Sequence, residues 1–154
     1  MEAKGEIYMA ESRTRKYIVT EMNLPEYKQK SDAAYAGKAN HIAWLDKDTI
    51  EGAFYLECLW FFKGADVNRV EAHTHDFDEV IGFFGTNPED QRDLCGEIEL
   101  WLDGEKHILT NSFIAFIPKG MVHCPLKIKR VDRPIFHFTT GPGGSYVRKS
   151  LPEK

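Results

Sequence analysis

Three histidines and one glutamate, in two separated stretches, have the residue types and spacing of a metal site. The first stretch contains His73, His75 and Glu79, and the second contains His123. On a β-strand, side chains two residues apart project from the same face, so the first two imidazoles point the same way. Imidazole and carboxylate ligands suit one divalent ion of Fe, Mn, Ni, Zn or Co. Four protein ligands leave one or two positions on such an ion open to water, oxygen or a substrate.

The elements that must position these side chains are predicted to be short strands. Runs of β-branched and aromatic residues are bounded by turn residues, and Asp103-Gly104 forms a two-residue hairpin turn. This pattern predicts an all-β fold, an antiparallel barrel or jelly roll. The predicted strands are His41–Leu45, Ala53–Phe62, Arg69–His75, Glu79–Phe84, Glu97–Leu102, Lys106–Thr110, Phe113–Ile117, Val122–Lys129 and Pro134–Thr140.

The chain divides into three predicted parts. Residues 1–40 form an N-terminal extension with edge strands near Ile7–Met9 and at Lys16–Glu21, followed by a loop or one short helical turn. Residues 41–144 form the barrel, and residues 145–154 form a polar C-terminal tail. A length of 154 residues is enough for a single core of this kind.

The two stretches resemble the paired motifs of the cupin superfamily, G-x5-H-x-H-x3,4-E-x6-G and G-x5-P-x-G-x2-H-x3-N. The three histidines and the glutamate named above occupy its ligand positions, and Pro118 and Gly120 match the turn of the second motif. Ser112 and Lys127 depart from that motif at its first and last positions, which shape turns and do not ligate. The resemblance covers roughly residues 50–140. It implies a double-stranded β-helix in which those four side chains hold the metal.

Residues near the predicted ligands define an expected cavity. Ile81 and Phe83 share a strand face with Glu79 and are predicted to floor an apolar pocket. His137 either lines the cavity as an acid/base group or lies on the outer surface of the barrel. Glu57 becomes a cavity acid if its strand face is interior. His41 is assigned no role.

Two cysteines and one insertion carry further expectations. Cys124 follows a predicted ligand directly, so it should point away from the metal, and Cys58 should be buried in the middle of its strand. Thr86–Cys95 is inserted where many cupins run on into the next strand. Its polar sequence predicts a mobile loop at the mouth or rim of the barrel that affects ligand binding, or an inert surface excursion.

Composition limits the classes of partner. A net charge of -4 and a pI of about 5.9 give no basic surface for nucleic acid. No apolar run reaches the ~18 residues that a membrane span needs, and the N-terminus has no apolar signal segment. We therefore expect a cytoplasmic protein with reduced thiols, with a small molecule as its ligand and a homodimer as its assembly.

The resemblance implies a small metalloenzyme that acts on an organic substrate inside the barrel. A non-haem dioxygenase is the first hypothesis, and an isomerase or lyase is the second. A non-catalytic protein that uses its metal to sense or bind a small ligand is the alternative from another class. The fold hosts all of these activities and does not choose between them.

Overall fold

A computed structural model describes residues 12–152 of the chain as eleven strands, one α-helix and one short 3-10 helix. The 3-10 helix spans Arg15–Tyr17 and the α-helix, α1, spans Glu26–Ala34. The strands in order are β1 (Ala39–Leu45), β2 (Tyr55–Phe61), β3 (Val67–Val70), β4 (His73–Thr74), β5 (Glu79–Phe84), β6 (Asp93–Leu102), β7 (Glu105–Asn111), β8 (Phe113–Ile117), β9 (His123–Val131), β10 (Ile135–Gly141) and β11 (Lys149–Ser150).

The strands form two antiparallel sheets that enclose one core. The first sheet has the order β1-β2-β10-β5-β8, and the second has the order β11-β4-β9-β6-β7 with β3 also paired to β9. Strands far apart in the chain are neighbours in both sheets, as in a jelly roll. The prediction of an all-β antiparallel jelly roll is therefore confirmed.

The alternation of β2 shows which sheet faces enclose the core. Tyr55, Glu57, Leu59 and Phe61 are buried between the sheets. Cys58 lies on the other face and is only half-buried, so the prediction that this cysteine is buried is wrong. The apolar residues on that face are covered partly by their neighbours, as in the Trp60–Phe136 ring contact at 5.4 Å.

The segment before the barrel differs from its prediction. Lys16–Glu21 is not a strand, because it begins inside the 3-10 helix and continues without a paired strand through exposed residues. Residues 26–34, predicted as a loop or one helical turn, form α1. None of its side chains is fully buried, so the hydrophobic periodicity that identifies a helix in sequence is absent. The predicted strand at Ile7–Met9 lies outside the described residues.

Two strand boundaries in the barrel also differ. Arg69–His75 is divided into β3 and β4 by an irregular Glu71-Ala72 step, and both short strands pair with β9. The predicted insertion Thr86–Cys95 is a loop only as far as Arg92, because β6 begins at Asp93 and buries Leu94 completely. Leu94 is the only large apolar residue at the start of β6, and one such residue does not identify a strand in the sequence.

The residues after the barrel return to it. The ring of Tyr146 packs against that of Tyr55 with centroids 5.0 Å apart, and Lys149–Ser150 pairs with His73–Thr74 as β11. The segment predicted as a polar tail therefore contacts the strand that carries the first predicted ligand. Within residues 12–152, no helix is long and apolar enough to cross a membrane.

Candidate metal centre

The four predicted ligands lie at the start of neighbouring strands. His73 opens β4 and pairs in register with His123, the first residue of β9. His75 lies just after β4, and Glu79 opens β5 in the facing sheet. All four side chains are buried, with at most 3% of each residue exposed. The fold thus brings together residues that lie up to 50 positions apart in the sequence.

The ligand atoms of these side chains converge. The Nε2 atoms of His73 and His75 lie 3.1 Å apart, and the three histidine ligand atoms all lie within 4.8 Å of one another. Glu79 reaches His123 Nε2 with Oε2 at 3.0 Å and His75 Nε2 with Oε1 at 3.5 Å. The carboxylate therefore contacts two of the three imidazoles and closes one side of the cluster.

Backbone carbonyls fix the tautomer of each imidazole. His73 Nδ1 donates to the carbonyl of Glu71 at 2.6 Å, His75 Nδ1 to that of Val147 at 2.6 Å, and His123 Nδ1 to that of Met121 at 3.1 Å. A carbonyl oxygen only accepts, so the proton of each neutral ring is on Nδ1 and Nε2 is bare. Metal-binding histidines are oriented in this way.

Two atoms of the cluster have no hydrogen bond within the described part of the chain. Glu79 Oε2 and His123 Nε2 are buried and lie 3.0 Å apart, yet they form no hydrogen bond. A carboxylate oxygen and a bare imidazole nitrogen are both acceptors, so burial without a cation between them is unfavourable. A cation satisfies both atoms at once. The residues present therefore fit a divalent metal ion.

Burial and mutual contact shift the pKa values within the cluster. Burial lowers the pKa of His73 to about 4. Burial also acts to lower the pKa of His75, but its contacts with Glu79 and the Val147 carbonyl outweigh burial and raise it. For Glu79, burial acts to raise the pKa, but His123 and His75 outweigh it and lower the value to about 2. The Glu79 carboxylate is therefore ionised at neutral pH.

Bound metal is expected to be lost between about pH 6.5 and 5, where protons begin to compete for imidazoles. The pKa of Glu79 is lowered to about 2, so the imidazoles and not the carboxylate take up protons in this range. Elemental analysis after equilibration at each pH, with circular dichroism as a check on the fold, measures this loss. Full retention at pH 4.5 would contradict an imidazole-rich centre.

A cavity of about 260 Å³ adjoins the cluster, and His73, Glu79 and His123 form part of its wall. Apolar side chains of Val70, Ile81 and Leu126 cover another part. A larger concavity of about 820 Å³ lies between residues 12–23 and residues 49–50, but none of the buried histidines or carboxylates borders it. The chemistry-bearing residues therefore belong to the smaller cavity.

The structure separates the two residues predicted to floor the pocket. Ile81 lines the cavity, but Phe83 is fully buried behind it, stacked on His137 with ring centroids 4.1 Å apart. Both side chains do share the face of Glu79, but Phe83 lies deeper along β5 and belongs to the core. Phe83 is therefore a support for the cavity and not part of its surface.

His137 faces the cavity and not the outer surface. Its Nδ1 donates to the carbonyl of Gly82 at 2.8 Å, and its Nε2 lies 3.1 Å from the hydroxyl of Thr139. The carbonyl again places the proton on Nδ1, so Nε2 accepts from Thr139. His137 and Thr139 both line the cavity, which places a proton acceptor within it.

Cys124 also lines the cavity, contrary to the expectation that it points away from the metal. Strand pairing shifts register between Leu100 and Leu102 opposite Cys124-Pro125, which is a bulge in β9. Cys124 has a positive φ of 72° at this bulge. A bulge interrupts the alternation of faces, so two consecutive residues point inward. Burial raises the pKa of the Cys124 thiol to about 12, so it stays protonated.

A charged network, of which the sequence analysis identified only Glu57, contributes Lys28 and Glu57 to the cavity wall. Glu57 Oε2 accepts from Lys28 Nζ at 2.7 Å and from His41 Nε2 at 3.0 Å. His41 Nδ1 in turn contacts Asp32 at 2.7 Å. Lys28 and Asp32 both come from α1, so this helix supplies part of the cavity wall. We call these four residues, Lys28, Asp32, His41 and Glu57, the charged network.

The loop formed by residues 86–92 is not at the mouth of this cavity. None of its residues lines the cavity, and it follows the far end of β5, about 17 Å from Glu79 at ~3.3 Å per residue. Thr86 donates to the Pro134 carbonyl at 2.6 Å, and Ser112 donates to that of Gln91 at 2.7 Å. The prediction of a loop at the cavity mouth is therefore wrong.

Replacing residues 87–91 by a Gly-Ser linker of equal length is expected to leave both metal content and ligand affinity unchanged. The replaced side chains contact neither the cavity nor the cluster. These side chains form hydrogen bonds only at the surface, so their loss should lower the stability of the fold without affecting the metal cluster. Metal analysis and a ligand titration of the variant test this, and a loss of metal would contradict the placement of the loop.

Comparison with known proteins finds structural likeness without sequence likeness. No protein-family model and no curated protein matches the chain. An oxalate oxidase in complex with the substrate analogue glycolate is 11% identical and matches 89% of this chain and 64% of its own, with a TM-score of 0.52. The polyketide cyclase RemF from Streptomyces resistomycificus is 18% identical and matches 78% of this chain and 76% of its own, with a TM-score of 0.46. A cupin-like protein from Thermotoga maritima is 14% identical and matches 67% and 65%, with a TM-score of 0.43.

These identities are too low to transfer an activity. The chain spans 64% of the length of that oxalate oxidase chain. The likeness shows the fold, which is the cupin-type jelly roll that the two sequence motifs imply.

Proposed function

We propose that this protein is a metal-dependent enzyme that acts on a small oxygenated organic substrate in the cavity beside the cluster. The observation that carries this proposal is that three of the four convergent side chains, His73, Glu79 and His123, form cavity wall. Structural metal sites are closed by protein ligands, whereas catalytic sites keep a position open towards the substrate. The cluster is open on the cavity side.

The chain's own residues prepare the cavity for a reaction. A divalent ion held by the cluster supplies Lewis-acid chemistry and, as Fe(II), chemistry with oxygen. Ile81 and Leu126 exclude water from one side of the cavity, and the Thr139 hydroxyl, which donates to His137 Nε2, provides a route for a proton to that imidazole. Because the cavity is small, a substrate inside it lies close to both the metal cluster and His137, and this proximity favours the reaction.

We further propose a non-haem dioxygenase as the reaction class. Iron-loaded protein is expected to consume oxygen with at least one member of a panel of diketones, phenols and thiols. Zinc-loaded protein, and iron-loaded protein carrying Glu79→Gln, should consume none. Oxygen-electrode measurements on the three preparations test this, with metal content determined on each sample.

A second candidate, an isomerase or lyase, is favoured by His137, which lines the cavity and accepts from the Thr139 hydroxyl through Nε2. A proton-accepting group in the cavity suits a reaction that moves a proton without oxidation. An iron form that is silent across the panel, together with metal-dependent exchange of substrate hydrogen for deuterium, would select this class. Absence of both activities would leave a metal-dependent binding protein.

A further inference from the structure

We propose that the ligand of this cavity is a small organic anion, and that Arg148 binds its acidic group while the metal centre holds its other end. This inference rests on the proposed metal centre and names the class of substrate. It arises from the charges, the unpaired cation and the volume of the cavity.

The side chains that line the cavity carry balanced charge before an ion is added. Lys28 and Arg148 contribute two positive charges, and Glu57 and Glu79 contribute two negative charges. A divalent ion then makes the lining positive by two charges. A confined positive lining attracts anions and disfavours neutral or cationic molecules of the same shape.

Three of these four charged groups are already paired. Lys28 Nζ lies 2.7 Å from Glu57, whose carboxylate also accepts from His41, and Glu79 belongs to the metal cluster. Arg148 makes no ion pair within residues 12–152, although its neighbour Lys149 lies 3.9 Å from Asp76. The guanidinium of Arg148 is therefore the cation that the fold leaves available to a ligand.

Arg148 is held near the metal cluster through one aromatic ring. Its guanidinium carbon lies 5.7 Å from the ring centroid of Tyr146. The Tyr146 ring in turn lies 5.2 Å from the ring of His75, and its hydroxyl lies 3.5 Å from His73 Nε2. A guanidinium stacked on an aromatic ring keeps its planar set of donors free for a carboxylate.

The volume and the apolar lining define the rest of the ligand. A cavity of about 260 Å³ is just below the usual range for small-molecule sites, so the ligand has few non-hydrogen atoms. Val70, Ile81 and Leu126 offer contacts to carbon and not to polar groups. The ligand class is therefore a short-chain carboxylate with a second oxygen donor for the metal.

The test uses malonate as the probe and malonamide as its neutral counterpart of the same shape. Each is titrated into full-length protein loaded with Co(II), and binding is followed by calorimetry and by the visible absorption of the metal. Malonate is expected to bind at least tenfold more tightly than malonamide. Arg148→Gln is expected to weaken malonate about 10- to 100-fold, the range for a hydrogen bond to a charged group. Arg148→Lys should recover part of the loss.

Lys149→Gln is the matched control, because Lys149, like Arg148, is exposed and positively charged but lies outside the cavity lining. It should bind malonate as the wild type does. Equal affinity for malonate and malonamide, or equal malonate affinity in wild type and Arg148→Gln, would overturn the inference while metal binding and the proposed function stand. Failure of the wild type to bind Co(II) would overturn the proposed function, and this inference with it.

Discussion

His123→Ala is expected to reduce bound metal from about one ion per chain to nearly none. The substitution removes one of three converging Nε2 atoms and the contact with Glu79 Oε2, so the remaining ligands no longer surround an ion. His75→Ala should have the same effect. Elemental analysis of protein purified in the presence of excess metal and then dialysed measures both.

His107→Ala is the control for this prediction. His107 lies on β7, outside the cavity wall and the cluster, so its loss should leave metal content unchanged. Equal metal content in the wild type and a His75→Ala/His123→Ala double variant would contradict the assignment of the centre.

Glu57→Ala is expected to lower the free energy of unfolding by about 3–5 kcal/mol, the usual cost of removing one partner from a buried ion pair. Glu57 has 9% of its side chain exposed and Lys28 has 12%, so solvent cannot replace the lost carboxylate. The variant leaves Lys28 and His41 without their shared acceptor. Urea unfolding measures the change, with the exposed Glu51→Ala as control. A loss below about 1 kcal/mol would show that the network contributes little.

The pH dependence of stability gives this prediction a second measurement. Burial acts to raise the pKa of Glu57, but Lys28 and His41 outweigh burial and hold the pKa well below its usual value. A lowered pKa means that the carboxylate stabilises the fold fully above its unfolded pKa of ~4.3 and progressively less as pH falls below it. The stability gap between wild type and Glu57→Ala should therefore narrow in acid.

The strands and the metal cluster could be predicted from sequence because their signals are local. Alternating burial along β5 places Glu79 and Ile81 on one face, and the H-x-H spacing places His73 and His75 together. The tight turn at Pro118-Lys119-Gly120 then delivers His123 to the start of β9. Each signal spans only a few residues, and the antiparallel pairing of β4 with β9 then brings His73 and His123 together.

The charged network and the far wall of the cavity could not be predicted in this way. Helix α1 buries no side chain fully, so its sequence lacks the apolar stripe that would identify a helix packed on the barrel. The residue that it contributes to the cavity, Lys28, is charged and is expected from sequence to face solvent. His41 had no motif around it, because its partners lie nine and sixteen residues away on two other elements. The bulge that turns Cys124 inward depends on pairing between β6 and β9, which the sequence of β9 does not contain.

The hydrogen bond from His75 to the Val147 carbonyl ties the ligand cluster to the last described segment of the chain. The same segment provides Tyr146 and Arg148 to the cavity and ends in β11, a pairing of only two residues with β4. Docking of this segment and retention of the ion are therefore thermodynamically linked, and each strengthens the other by the same factor. In the loaded protein β11 should resist limited proteolysis at Arg148 and Lys149, and removal of the ion should make this segment cleavable. A bound ion would therefore hold this segment against the barrel.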